Sequence, residues 1–291
     1  ALVLLGDVLA NAYQQAQLSQ GKFAPDTISV GDLFAGALVP GLLLVTFYAL
    51  YTLWMAVFRG DRVPAAVTTE KPSIASLLNS LAPPLLLIIA VLGSILGGLA
   101  TPTEAAGVGA SGALLLALFN RSLNIDTLRA ICESTLRTTA MVFFILIGAS
   151  IFSLVFRGYG GDELVHEIFM DLPGGMWTAL AVVMLVVFLL GFMLDFIEII
   201  FVVVPIVGPV LLAMGIDPIW LGVLLAANLQ TSFLTPPFGF ALFYLRGVTP
   251  KAIATTDIYR GVLPFVAMQL LLIAALLAYP QLATWLPELV Q

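Results

Sequence analysis

Residues 228–240 read NLQTSFLTPPFGF and place amides, hydroxyls and two adjacent prolines between apolar runs. The prolines remove two backbone N–H donors and stop a helix, which leaves carbonyl oxygens without helical partners. Hydroxyl and carbonyl oxygens suit a weakly held alkali cation such as Na+, beside half-helix ends that can hold an anion. The candidate site residues are Asn228, Gln230, Thr231, Ser232, Thr235, Pro236, Pro237 and Gly239, with Thr231, Ser232 and Thr235 as sodium ligands. The alternative is a proline-kinked helix whose Ser and Thr side chains bond their own backbone.

A second interrupted motif, GGLATPTEAAGVGA, occupies residues 97–110. Its glycines weaken a helix, its Thr-Pro pair interrupts it, and the following Thr and Glu are typical of a new helix start. The candidate site residues here are Gly97, Gly98, Thr101, Thr103 and Glu104. The motif is either a tight turn between two helices or a second interrupted element that lines the same cavity.

Two acidic residues, Asp195 and Glu198, lie between apolar runs. Ionisable residues within a membrane are candidates for function. The alternative is that the pair marks a membrane surface, and the sequence leaves both interpretations open.

The composition requires a bilayer as the solvent. Of the 291 residues, 61% are hydrophobic and 10% are charged, whereas soluble domains carry about 25% charged residues. No Lys/Arg run indicates a nucleic-acid partner. Cys132 is the only cysteine, which excludes an internal disulfide and a cysteine-based metal site. We therefore expect an all-α polytopic membrane protein.

The distribution of basic residues predicts the orientation of the chain in the membrane. Three short connections hold most of them, namely Arg59, Arg62, Lys71, Arg121, Arg129, Arg137, Arg246, Lys251 and Arg260. By the positive-inside rule these connections are cytoplasmic, and the largely acidic connection 157–175 is outside. Residues 124–137 are expected to lie along the inner surface. Residues 176–214 are then expected to make one broken crossing, and residues 216–246 a re-entrant hairpin with residues 231–237 at its tip.

Two similar segments of the sequence indicate an inverted repeat. DLFAGALVPGLLL begins at Asp32 and DIYRGVLPFVAMQLLL begins at Asp257, each with Gly four residues later and Pro seven or eight residues later. The two spans run in opposite directions if the basic loops are inside, as in transporters with inverted repeats. We divide the chain into residues 1–31 (second arm of a first hairpin plus a polar insertion, 12–28), 32–79 (end of the first repeat and a cytoplasmic connection) and 80–291 (second repeat, with a final span at 258–280).

These motifs, with DFIEIIFVVVPIVGPVL and SVGDLFAGALVPGLLL, resemble the large membrane subunit of tripartite ATP-independent periplasmic (TRAP) transporters over nearly the whole chain. The resemblance implies an ion-transporter-like elevator fold in the bacterial inner membrane that imports a small organic acid, often a carboxylate, with Na+. It also implies a small four-helix membrane subunit and a periplasmic substrate-binding protein as partners, and no cofactor beyond Na+. We expect this chain to lack the family's N-terminal part, and one sodium site to be absent or incomplete as a result.

Other function classes fit the sequence less well. A hydrolase needs a nucleophile near a base, but the sole histidine, His166, is expected in a polar loop, and G-x-S-x-G is absent. An ATP-driven pump needs a phosphate-binding G-x-x-x-x-G-K-[ST] motif, which is also absent. We therefore expect no enzyme activity. An ion channel, or a structural membrane subunit without transport activity of its own, remains the alternative.

Overall fold

The computed structural model describes residues 1–59, 73–235, 239–250 and 253–290. Within these ranges every regular element is helical, and a π-helical segment (Ile199–Val203) joins α8 to α9. The helices are α1 (Leu2–Ser19), α2 (Val30–Phe58), α3 (Ile74–Leu96), α4 (Pro102–Phe119), α5 (Ile125–Gly158), α6 (Gly161–Met170), α7 (Gly175–Leu190), α8 (Phe196–Glu198), α9 (Val204–Ala213), α10 (Pro218–Leu234), α11 (Phe240–Val248), α12 (Thr255–Ala278) and α13 (Gln281–Val290).

Five stretches in the described ranges are long and apolar enough to cross a membrane. They are Val30–Phe58, Pro102–Phe119, Ile125–Gly158, Phe196–Ala213 and Thr255–Ala278. A crossing needs about 20 apolar residues, and α7 and α10 are shorter apolar helices. The prediction of an all-α polytopic membrane protein is confirmed, while the inverted repeat and the elevator arrangement stay predictions.

The chain divides into two compact units, and the first comprises residues 1–48 and 142–291. Its centre is α10, which packs against α1, α7 and α12, while α1 also packs along α9. Gly222 of α10 lies so close to Leu9 and Leu33 that an added Cβ would come within 2.9 and 2.7 Å of their side chains. In a membrane the hydrophobic effect does not drive helices together, because lipid is as apolar as their side chains. Small residues then favour association by letting the helices pack closely. The first unit is therefore held together by tight packing around α10.

The second unit comprises residues 49–141. Its core is a helical hairpin in which α3 and α4 pack along each other. A Cβ on Gly112 would lie 2.4 Å from the side chain of Leu87, and one on Gly109 would lie 3.2 Å from Val91. Two glycines one turn apart thus let α4 contact α3 closely.

Two helices are longer than the sequence predicts. α1 continues to Ser19, so its last turns include much of the segment interpreted as a polar insertion. The amide of Gln17 donates to the carbonyl of Asp26 (3.0 Å) and accepts from its backbone N–H (2.9 Å), which fastens the following turn to α1. α5 is continuous over 34 residues, about 51 Å at ~1.5 Å per residue, and has no break between the expected surface segment 124–137 and the span.

Candidate functional site

The interrupted segment predicted near the C-terminus lies at the end of α10. The carboxylate of Asp217 accepts from the N–H of Trp220 (2.7 Å), and Pro218 is the first helical residue, so the helix start is well defined. α10 ends at Leu234, and Thr235 has extended backbone angles (φ −103°, ψ 129°). A residue before proline is driven to such angles. The helix therefore ends, as the prolines predict, and α11 begins only at Phe240.

The predicted site residues differ in their exposure. Asn228, Thr231, Ser232 and Gly239 are buried, and Thr235 is half-buried. Gln230 is exposed, which makes it the least suitable member of the set. Pro236 and Pro237 lie outside the described residues.

The three hydroxyls all bond their own helix. Thr231 donates to the carbonyl of Ala227 (3.0 Å), Ser232 to that of Leu229 (2.6 Å) and Thr235 to that of Thr231 (2.8 Å). The alternative of a kinked helix predicts this same pattern, but here the helix ends instead of bending. Each hydroxyl uses its proton in these bonds and keeps oxygen lone pairs that can face a cation. The C-terminal end of α10 also carries partial negative charge, which favours a cation there.

A buried amide joins α10 to α7. Asn228 is 2% exposed, and its side-chain N–H donates to the carbonyl oxygen of Met184 (2.8 Å). A buried polar group of this kind is stable only when it is hydrogen-bonded. The bond therefore fixes the depth of α10 relative to α7, one turn before the hydroxyls.

A second helix break lies against this end of α10. α7 ends at Leu190 and α8 begins at Phe196, with Gly191 at the break. A Cβ on Gly191 would lie 2.5 Å from the Cβ and the hydroxyl oxygen of Ser232, so only glycine fits. The rings of Phe196 and Phe233 are also in contact, with centroids 5.3 Å apart. Two interrupted helices therefore meet at one place, and we call residues 191–195 and 228–235 the paired breaks.

The acidic pair predicted between apolar runs lies at the start of the helix that follows the first break. The carboxylate of Asp195 accepts from the N–H of Phe196 (2.7 Å), and Glu198 is in the first turn. Both residues are partly buried. The π-helical segment follows directly, a local distortion that is frequent at functional sites. Asp195 thus has a structural role as a cap beside the paired breaks, and the membrane depth of the pair stays a prediction.

The motif at residues 97–110 forms the turn of the α3–α4 hairpin. Gly98 has a positive φ (66°), which only glycine adopts readily. Thr101 and Glu104 form a reciprocal capping box, in which the carboxylate accepts from the N–H and the hydroxyl of Thr101 (2.8 Å each). Thr103 is exposed. The geometry fits the tight turn, and a contribution of Gly97 and its neighbours to a shared cavity stays a prediction.

The chemistry available at the paired breaks is that of neutral oxygens. In the described ranges no group of three or more His, Cys, Asp or Glu side chains could hold a metal ion. Hydroxyls and carbonyls at a helix end are instead the weak, hard ligands that suit an alkali cation. Sequence reasoning missed Gly191, although a glycine four residues before an isolated aspartate in an apolar run is a usable signal of a break.

Comparison with known proteins gives a consistent result. The family model described as "Tripartite ATP-independent periplasmic transporter, DctM component" matches residues 23–282. Three similar curated proteins are the C4-dicarboxylate TRAP transporter large permease protein DctM of Rhodobacter capsulatus (28% identity, 90% of this chain, 59% of that protein), the ectoine TRAP transporter large permease protein TeaC of Halomonas elongata (30%, 90% and 60%) and the sialic acid TRAP transporter large permease protein SiaM of Vibrio cholerae (30%, 90% and 60%). The chain thus spans about three fifths of the length of these relatives.

Proposed function

This chain belongs to the DctM component family of tripartite ATP-independent periplasmic transporters, and on that premise we propose that it serves in secondary import of a small organic acid. It is a multi-pass protein of the bacterial inner membrane, and its relatives are transporter permeases, not enzymes. The relatives' names give C4-dicarboxylates, ectoine and sialic acid as their solutes. An organic acid, typically a carboxylate, is the solute class proposed for this chain.

The observation that carries the proposal is the contact between the paired breaks. A helix that ends within the membrane leaves backbone N–H and C=O groups unpaired, and this is tolerated only where protein or a water-filled cavity supplies their hydrogen bonds. Here two helices stop side by side, with buried hydroxyls on one and a helix N-terminus on the other. A helix C-terminus attracts a cation and a helix N-terminus attracts an anion. The end of α10 therefore suits a Na+ site, whereas the carboxylate of Asp195 already caps the helix start at the other break.

The driving force proposed is the Na+ gradient, with Thr231, Ser232 and Thr235 supplying ligands. In this proposal the first unit carries the solute by an elevator movement, with residues 216–246 as a re-entrant hairpin. A periplasmic binding protein delivers the solute, and a small four-helix membrane subunit completes the complex. What supports these partners is membership of the family, whose name describes a three-component system.

Counterflow separates a transporter from the alternatives. The full-length protein with its small subunit is placed in liposomes preloaded with unlabelled organic acid, and labelled acid is supplied outside with the binding protein. A carrier accumulates label transiently by exchange. A structural subunit gives no label inside, and a channel lets label equilibrate without the transient excess, so either result would exclude the proposed function.

A further inference from the structure

The short helix α13 follows directly on the membrane span α12. α12 ends at Ala278 and α13 comprises Gln281–Val290, so only Tyr279 and Pro280 lie between them. The carbonyl of Pro280 accepts from the N–H of Ala283 (2.9 Å), and the chain therefore turns into α13 without a loop. Because α12 is long and apolar enough to cross a membrane, α13 begins at the level where this span leaves the lipid.

One face of α13 is fixed against the rest of the first unit. Ala283 and Pro287 are buried and lie one turn apart on this face. Pro287 has no N–H, so the carbonyl of Ala283 loses its usual helical donor. A Cβ added to Gly36 of α2 would lie 2.8 Å from that carbonyl oxygen, which shows how closely the two helices approach. This contact sets the rotation of α13 about its own axis.

The other residues of α13 form two flanks of opposite character. Successive residues are rotated by about 100° in a helix with 3.6 residues per turn. The apolar flank, on one side of the buried face, consists of Leu282, Trp285, Leu286 and Leu289, and the polar flank consists of Gln281, Thr284 and Glu288. Trp285 is 56% exposed and Leu289 is 63% exposed. A helix with one apolar and one polar flank is typical of a segment that lies in the membrane interface.

Exposed aromatic rings lie at the same level of the first unit. The indole N–H of Trp220 donates to the carbonyl of Leu276 (2.8 Å), near the end of α12. The ring of Trp177 contacts that of Trp220, with centroids 5.9 Å apart, and Trp177 and Tyr279 are both exposed. Trp and Tyr are enriched where a membrane meets water, because their rings are apolar and carry one polar group. These rings therefore indicate the same membrane level as the end of α12.

We propose that α13 lies in the plane of the membrane surface and binds the lipid there through its apolar flank. Trp285 and Leu289 lie among the lipid headgroups and the first acyl carbons, and Glu288 faces water. The occupant is lipid because this flank continues the apolar surface that the span α12 exposes, including Leu271 and Tyr279. α13 contains no Lys or Arg, so its binding comes from buried apolar surface and does not need anionic lipid. This role does not depend on the transport proposal.

The test measures the surroundings of a nitroxide label on single cysteines of the full-length protein, in a background without native cysteines and in phosphatidylcholine nanodiscs. Electron paramagnetic resonance gives the collision rates of the label with O2, which concentrates in lipid, and with a water-soluble nickel chelate. Leu289→Cys and Glu288→Cys are adjacent in sequence, yet we expect the ratio of O2 to nickel collisions to be at least about fivefold higher at position 289. Leu271→Cys in α12 is the lipid reference, and Asp171→Cys, an exposed position between α6 and α7, is the water reference.

Three results would overturn the proposal. Equal ratios at positions 288 and 289, both close to the water reference, would place α13 in water. A label at position 289 that is shielded from both reagents, either in the protein alone or after addition of the small membrane subunit and the binding protein, would show that protein covers this flank. A preference for O2 that appears only in discs with phosphatidylglycerol would show that anionic lipid is required. If the Leu289→Cys variant does not fold, Trp285→Cys and Gln281→Cys give the same comparison one turn earlier.

Discussion

At the scale of single residues, the hydroxyl groups at the end of α10 can bond the backbone of their own helix or bind a cation. Thr231 and Thr235 both donate to carbonyls one turn earlier in α10, a bond that many exposed threonines also form. Thr138 of α5 makes the same bond to Ser134 (3.0 Å) and is exposed. What distinguishes Thr231 and Thr235 is their position at the end of a helix beside a second break. Their role is therefore testable against a threonine with the same bond elsewhere.

Replacing Thr231 or Thr235 with valine should raise the Na+ concentration needed for half-maximal uptake. Loss of one neutral ligand costs about 0.5–1.5 kcal/mol, comparable to a hydrogen bond, which corresponds to roughly a two- to tenfold change. The measurement is the Na+ dependence of uptake in proteoliposomes. Thr138→Val is the control and should leave it unchanged. If both Thr231→Val and Thr235→Val keep the wild-type Na+ dependence, these side chains are not sodium ligands.

The buried amide makes a prediction about stability. Asn228→Leu removes the bond to the carbonyl of Met184, so we expect the free energy of unfolding to fall by about 1–3 kcal/mol. Gln230→Leu changes an exposed amide two residues away and should change it by no more than about 0.5 kcal/mol. Thermal unfolding in detergent measures both variants. Equal stability of the two would show that the Asn228 bond does not hold α10 to α7.

The sequence predicts where α10 ends better than it predicts which residues pack against that end. The proline pair at 236–237 predicts the end of α10 because its effect on the backbone is local. The contact of Ser232 with Gly191 depends on how two helices pack, and no local pattern encodes it. The sequence also does not show whether a hydroxyl bonds the helix backbone or binds an ion. Any Ser or Thr in a helix lies close to a carbonyl of the preceding turn, so both uses are open to it.

At the scale of the elements, the contact between α7 and α10 makes the strongest prediction. Gly191 has a φ of −62°, so alanine would be tolerated by the backbone, and only the approach of Ser232 forbids it. Gly191→Ala should therefore lower stability by about 1–3 kcal/mol through overpacking and reduce uptake. Adding Ser232→Gly removes the colliding side chain and should restore part of the lost stability.

The matched control for this change is Gly148→Ala in α5, where an added Cβ meets no atom within 4 Å. Alanine at an open helical position should stabilise the helix slightly. Thermal unfolding of Gly191→Ala, of Ser232→Gly and of the double variant, with Gly148→Ala as the control, gives the coupling between the breaks. Additive effects in that cycle would mean that the two breaks do not touch.

Two helix lengths show why element bounds are hard to infer from polarity. Gln14, Gln15 and Gln17 are polar but form helix well, so α1 continues to Ser19, into the segment 12–28 interpreted as an insertion. The start of α5 is polar as well, yet its Leu, Arg and Glu residues also favour helix, and residues 125–141 contain no Gly or Pro. Polar residues indicate where a segment leaves the lipid, whereas Gly and Pro residues indicate where a helix ends.

At the scale of the whole molecule, the distribution of charge predicts the orientation in the membrane. Arg129 is in the basic connection expected inside, and Asp162 is in the acidic connection expected outside. Arg62 and Lys251, also expected inside, lie outside the described residues. Single cysteines at these four positions, in a Cys132→Ser background that removes the exposed native thiol, should show labelling by an impermeant reagent in intact cells only at position 162. Labelling at position 251 from outside would reverse the orientation given to the α10–α11 segment.

In the proposed function, two broken helices that meet at Gly191 and Ser232 serve import of an organic acid driven by Na+. The most direct test is uptake by proteoliposomes that contain the full-length protein and its small membrane subunit, with no ATP present. We predict that labelled acid accumulates only when the binding protein is added outside and the Na+ concentration is higher outside than inside. Strong uptake with neither of them, or uptake that appears only when ATP is added, would contradict the proposed Na+-driven import.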